Sequence, residues 1–128
     1  MSKVAIIGGG AAGMLCGVYA ARRGHQVHIL EKNEKLGKKI FITGKGRCNL
    51  TNASDMDEIR RNIVTNSKFM YSALYTLSND DVIQMFQDVG VETKVERGNR
   101  VFPVSDKSSD IIWGLTKTVS YTHLTLPT

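Results

Sequence analysis

The chain has 128 residues, 41% hydrophobic and 23% charged, a composition that suits one soluble globular core and excludes a fibrous or disordered protein. Its net charge of +5 comes from basic residues dispersed along the chain without a recognised binding module, so a solvated surface is expected and no nucleic-acid partner. Cys16 and Cys48 are too few for a disulfide framework and lack zinc-site spacing, which points to a reducing cytoplasm and no metal.

Val4 to Ile7 is a short apolar run stopped by Gly8-Gly9-Gly10, the pattern of a strand covered on both faces. The uncharged stretch from Val4 to Ala21 holds five glycines behind a single Lys3, so it reads as neither signal peptide nor membrane helix, and no membrane partner is expected. Ala11 to Arg23 is predicted as a helix ended by Gly24, with Cys16 packed on its sheet-facing side. Gln26 to Leu30 is a second strand, and the strand, glycine turn, helix and strand make a βαβ unit with parallel strands.

Gly8-Gly9-Gly10-Ala11-Ala12-Gly13 fits G-x-G-x-x-G, a weak signal alone, but here it follows a strand and opens a helix. Glu31 stands eighteen residues after Gly13, where the fingerprint places the acidic group that accepts hydrogen bonds from ribose hydroxyls. Gly8 would allow the tight turn, Gly10 the approach of a pyrophosphate, and Gly13 close packing of helix on sheet. Ala11, Ala12 and Gly13 then offer the N–H groups of a helix N-terminus to an anion. The alternative is a glycine-rich turn with an ordinary surface glutamate. His25, His28 and His123 have no partner at ligand spacing, so neither a metal site nor a histidine triad is expected.

Between Lys32 and Asn52 the chain is rich in Gly, Lys and Asn, and it reads as a long functional loop. Lys32, Lys38, Lys39 and Arg47 would bring positive charge to phosphates, whereas Lys45 reads as a solvated cation. Gly44 and Gly46 permit close backbone approach, and Thr43, Asn49 and Thr51 add neutral donors suited to a ribityl chain or flavin ring. Cys48 is a candidate contact to an isoalloxazine, with ordinary packing in the loop as the alternative. Asn49-Leu50-Thr51 and Asn52-Ala53-Ser54 match the glycosylation sequon and are read as local turn chemistry.

Helices are predicted near Asp57 to Val64, Ser67 to Leu77 and Asn79 to Val89, the last capped by Asn79-Asp80-Asp81. Phe69, Tyr71, Tyr75 and Phe86 fall in these helices and are expected in the core. Val91 to Arg97 and Arg100 to Val104 form a hairpin turning at Gly98-Asn99, and a final helix starts between Ser105 and Asp110 and runs to about Val119. Ser120 to Thr128 changes character: it is uncharged and rich in threonine. It resembles a translated adaptor sequence, and a non-native or disordered tail is expected there.

The blocks running from Gly37 to Asn52 (GKKIFITGKGRCNLTN) and from Asn99 to Asp110 (NRVFPVSDKSSD) resemble the bacterial FAD-dependent oxidoreductases known as YhiN-like or BaiN-like, also called aminoacetone-oxidase-like. The likeness runs from about Lys3 to Val119. It implies a two-dinucleotide-type flavoprotein fold whose FAD domain is interrupted by an inserted domain and completed by a later segment. Residues 1–119 would then be an incomplete N-terminal part of that domain: an α/β, Rossmann-like βαβ unit followed by helices and a β-hairpin.

The implied function is a flavin-dependent oxidoreductase acting on a small molecule, with FAD as cofactor and NAD(P)H as a candidate donor. No catalytic residue is assigned by these motifs. Two further readings are an inactive truncated nucleotide-binding fragment and a flavoenzyme acting on RNA. A clustered basic face with exposed aromatic residues would favour the last.

Overall fold

The computed structural model describes residues 1–120 of the chain. Of the predicted tail from Ser120 to Thr128, Ser120 closes the last helix and the rest lies outside the described residues. The N-terminal unit is β1 (Lys3–Ile7), α1 (Ala11–Arg22) and β2 (Gln26–Leu30), with β1 and β2 parallel and Ala5 opposite His28. Gly24, at φ 85°, takes the left-handed conformation that ends α1 and turns the chain into β2. β1 is not covered on both faces: Lys3, Ala5 and Ile7 are exposed while Val4 and Ile6 are half-buried, and Ile7 is 80% exposed.

The segment from Lys32 to Asn52, expected as loop, carries two short elements: α2 (Lys38–Ile42) and β3 (Thr51–Asn52). A 3₁₀ turn over Thr43–Gly46 joins them. Next come α3 (Met56–Arg61), α4 (Tyr71–Thr76) and α5 (Asn79–Asp88). The helix cap of α5 is Ser78 and not Asn79: Ser78 Oγ accepts from the Asp81 N–H, and Asp81 Oδ2 accepts from the Ser78 N–H. Such a capping box stabilises a helix end by about 1 kcal/mol. Asn79 instead donates to the carbonyls of Asn52 and Ser54, tying α5 to the end of β3.

β4 (Thr93–Glu96) and β5 (Arg100–Pro103) form the expected antiparallel hairpin, and β3 pairs with the other edge of β5. Gly98 and Asn99, both at positive φ, make the turn. The closing helix α6 (Ser108–Ser120) packs on α1, α2 and α5. It completes a core of Met14 and Val18 from α1, Val27 and Ile29 from β2, Phe86 from α5, and Ile111, Leu115 and Val119 from α6. Gly114 makes room for that core, since a Cβ there would stand 3.0 Å from both Phe86 and Val91.

Two packing expectations are corrected. Cys16 is exposed, because the buried face of α1 is formed by Met14, Gly17 and Val18. At 100° per residue, Cys16 lies on the opposite side from those positions. Of the four aromatic residues placed in the core, only Phe86 is buried; Phe69 is 85% exposed and Tyr71 and Tyr75 each 49%. Tyr71 and Tyr75 pack on one another at 4.5 Å, and Arg60 lies over the Tyr71 ring.

Candidate functional site

The turn from Gly8 to Gly13 is fixed from three sides. The Gly8 N–H donates to the Leu30 carbonyl at 2.8 Å, joining the turn to the end of β2. The buried Gly9 N–H donates to Glu31 Oε2 at 2.7 Å, and the Gly9 carbonyl accepts from the Gly37 N–H at 2.9 Å. Gly9 is therefore the hub of the site, although the fingerprint treats it as a free position. A Cβ there would collide with Leu36 and crowd Glu31.

Glu31 follows directly on β2 and stands beside the glycine turn, as the fingerprint predicts. Its Oε1 accepts from the Asn33 N–H at 2.9 Å and from Asn33 Nδ2 at 3.0 Å. The N–H groups of Asn33 and Gly9 hold the carboxyl below the usual carboxylate range, so it is ionised at neutral pH. Within the chain Oε2 accepts from Gly9 and Oε1 from Asn33, and the Lys32 backbone lowers the carboxyl pKa further. Asn33 falls outside the fingerprint; its signal is an Asn two residues after the acidic position, able to bond back to it.

Gly10 precedes α1 with no side-chain cap, and Ala11 and Ala12 are exposed, so the helix N-terminus faces open space. A Cβ on Gly10 would meet nothing within 4 Å. Gly13 has a different task. Its missing side chain is occupied by the Gly8 carbonyl oxygen and bounded by Ile6 Cγ2. Beside the turn, a groove of about 910 Å³ is lined by Lys32, Lys38, Leu36, Phe41, Ile42 and Ile112, among others.

The rest of the loop is built differently from the expectation. Arg47, expected near phosphates, is ion-paired to Glu96 and Asp106. Its hydrogen bonds to Glu96 and then Asp106 raise its pKa further. Cys48 is buried in the core, and burial pushes its thiol pKa up while a hydrogen bond with Thr43 works the other way. The thiol is thus protonated and inward-facing, the packing alternative for this residue.

Thr43 also donates its hydroxyl to the Ile40 carbonyl at 2.7 Å, and Thr51 sits in the ladder opposite Val101. Lys39, Gly44, Lys45, Gly46 and Asn49 are exposed along the loop. Asn52 Oδ1 accepts from the Ser54 N–H at 2.9 Å, the local turn chemistry expected of that sequon. Among the described residues no cluster of three or more His, Cys, Asp or Glu could hold a metal ion, and no helix is long and apolar enough to cross a membrane.

A parallel βαβ unit, a glycine turn opening onto a helix N-terminus and an acidic residue bonded to that turn define a Rossmann-type nucleotide-binding domain. The chain belongs to the HI0933-like family: the HI0933-like protein Rossmann domain matches residues 2–128. It is 38% identical over 114 residues to a 3-dehydro-bile acid delta(4,6)-reductase of Clostridium scindens, covering 88% of this chain and 27% of that protein. It is 34% identical over 90 residues to a ribosomal RNA dihydrouridine synthase of Haemophilus influenzae, covering 70% of this chain and 22% of that protein.

In structure, it resembles Thermovibrio ammonificans THI4 with a TM-score of 0.63 at 16% identity, over 98% of this chain and 37% of that one, a likeness of fold alone. The chain spans about a quarter of the length of the Clostridium and Haemophilus relatives. It is thus a Rossmann domain of an oxidoreductase family, as the 37–52 and 99–110 blocks led us to expect.

Proposed function

We propose that this chain is the N-terminal FAD-binding part of an oxidoreductase that reduces a small molecule, with a reduced nicotinamide nucleotide as the electron donor. The observation that carries the reading is the Glu31 carboxylate bonded to the Gly9 amide beside an uncapped helix N-terminus. In this reading Gly8, Gly10, Ala11, Ala12 and Gly13 receive the pyrophosphate and Glu31 the adenosine ribose, while the charge of Glu31 disfavours a 2′-phosphate. Lys32 and Lys38 line the neighbouring groove on the side of Leu36 and Gly37, and Lys39, Thr43, Gly44, Gly46, Asn49 and Thr51 contribute from the loop beyond it. Bound FAD would supply the hydride chemistry; these residues bind and orient it. The choice of FAD rests on the block from Gly37 to Asn52.

The name of the Haemophilus relative raises an RNA substrate as a second reading. The exposed Phe69, Tyr71 and Tyr75 are the aromatic half of what that reading requires. The basic half is weaker: Arg60, Arg61 and Lys68 are balanced in the same stretch by Asp55, Asp57 and Glu58, and Arg61 is paired with Glu58. Small-molecule reduction is accordingly the reading we keep. Its test is the visible spectrum of the purified protein, in this chain and in a full-length relative. Flavin absorbance that bleaches with NADH or NADPH under anaerobic conditions is the expected result for the relative. A full-length protein that neither holds nor takes up FAD would refute it.

A further inference from the structure

We propose that Arg47 is a positioning residue, a clasp that pins the far end of the 37–52 loop to the antiparallel sheet, and that it is not a phosphate ligand. The flavin reading above enters only in what the loop serves. The Arg47 guanidinium donates through Nη2 to Glu96 on β4, and through Nε and Nη2 to Asp106 Oδ1 at 2.9 and 2.7 Å. Its plane lies over the Phe102 ring of β5, 3.9 Å from the centroid. Lys94 Nζ reaches Glu96 and Asp106 at 3.2 and 2.8 Å. Two cations thus face two carboxylates, and the cluster carries no net charge to offer a phosphate.

What the clasp holds is the backbone beside it. The Arg47 N–H bonds the Gly44 carbonyl at 3.1 Å, the Cys48 N–H the Thr43 carbonyl at 3.0 Å, and the Leu50 N–H the Val101 carbonyl at 2.8 Å. Cys48 sits at φ 58°, a left-handed conformation that a residue with a side chain keeps only where its surroundings enforce it. The near end of the loop is fixed separately, by the Gly37 to Gly9 bond and by Ser108 Oγ donating to the Phe41 carbonyl at 2.7 Å. The loop is therefore stretched between the nucleotide turn and the second sheet, and Arg47 adds a side-chain anchor to the pairing of β3 with β5 at its outer end.

The test compares Arg47→Met, Arg47→Lys and the double variant Glu96→Gln/Asp106→Asn in a full-length protein carrying these residues. Amide exchange at Cys48 and Leu50 is read without flavin, and flavin retention after gel filtration is read separately. A clasp predicts that exchange at both amides rises about tenfold in Arg47→Met and in the carboxylate double variant, less in Arg47→Lys, with flavin retention falling in step. The carboxylate variant decides should Arg47→Met fail to fold, because it keeps the size of both side chains and removes only their charge. Unchanged exchange, with flavin held as well as or better than in the wild type once the carboxylates are neutralised, would make Arg47 a phosphate ligand and overturn the clasp. Raised exchange in a protein that binds no flavin in any form would leave the clasp standing and remove the flavin reading instead.

Discussion

Gly13→Ala is expected to collapse the nucleotide turn. The added methyl group would stand inside the contact radius of the Gly8 carbonyl oxygen and 3.4 Å from Ile6 Cγ2. Neither neighbour can yield easily: Gly8 is tied through its N–H to Leu30, and Ile6 belongs to β1 opposite Ile29. Two effects oppose one another here. Alanine favours a helix over glycine by about 1 kcal/mol, whereas forcing an atom into closed backbone packing costs about 3 kcal/mol or more. The clash wins, and the loss is a large share of the roughly 5–15 kcal/mol that holds a domain together. A urea unfolding series should show a midpoint well below that of the wild type. A Gly13→Ala protein as stable as the wild type would mean that helix and turn do not meet as described.

Glu31→Ala is expected to lower flavin affinity by about tenfold or more, the scale of a charge-assisted hydrogen bond lost to a hydroxyl. The same change strips the Gly9 and Asn33 N–H groups of their acceptor, so the turn loosens as well. Glu31→Gln should fall between, since one of its carboxamide atoms becomes a donor facing a donor. The pH dependence follows from the lowered pKa of Glu31. A carboxyl whose folded value lies below its ordinary 4.5 contributes fully at pH above 4.5, and the contribution is lost as pH falls through the lower folded value. Titration of flavin binding with a quenching assay, in wild type and Glu31→Ala, checks the affinity, and urea unfolding of the two proteins across pH checks the titration. Equal affinity in the two proteins would remove Glu31 from the site.

The βαβ unit is legible in the sequence because its signals are local and agree with one another. The strand from Gln26 to Leu30 with its apolar Val27, Ile29 and Leu30, the glycine turn and Gly24 are each local signals, and β2 has the bounds its sequence suggests. The position of Glu31 follows from the same local rule. What the sequence does not disclose depends on partners distant along the chain. Arg47 meets Glu96 and Asp106 some fifty to sixty residues away, and no spacing rule links them. The exposed Tyr71 and Tyr75 carry helical periodicity but find no buried face among the described residues to pack on. Two corrected positions do have local signals. The i, i+3, i+4 pattern of Met14, Gly17 and Val18 places Cys16 outside, and Ser78 three residues before Asp81 spells a capping box.

If the glycine turn receives a pyrophosphate, the position that reports it is Gly10, where an added Cβ meets no protein atom within 4 Å. Gly10→Val in a full-length protein carrying these residues should leave the unfolding midpoint near that of the wild type while abolishing the flavin absorbance of the purified protein. A stable Gly10→Val protein that still purifies with a full complement of FAD would contradict the account, because the backbone at this turn would then not be what approaches the cofactor.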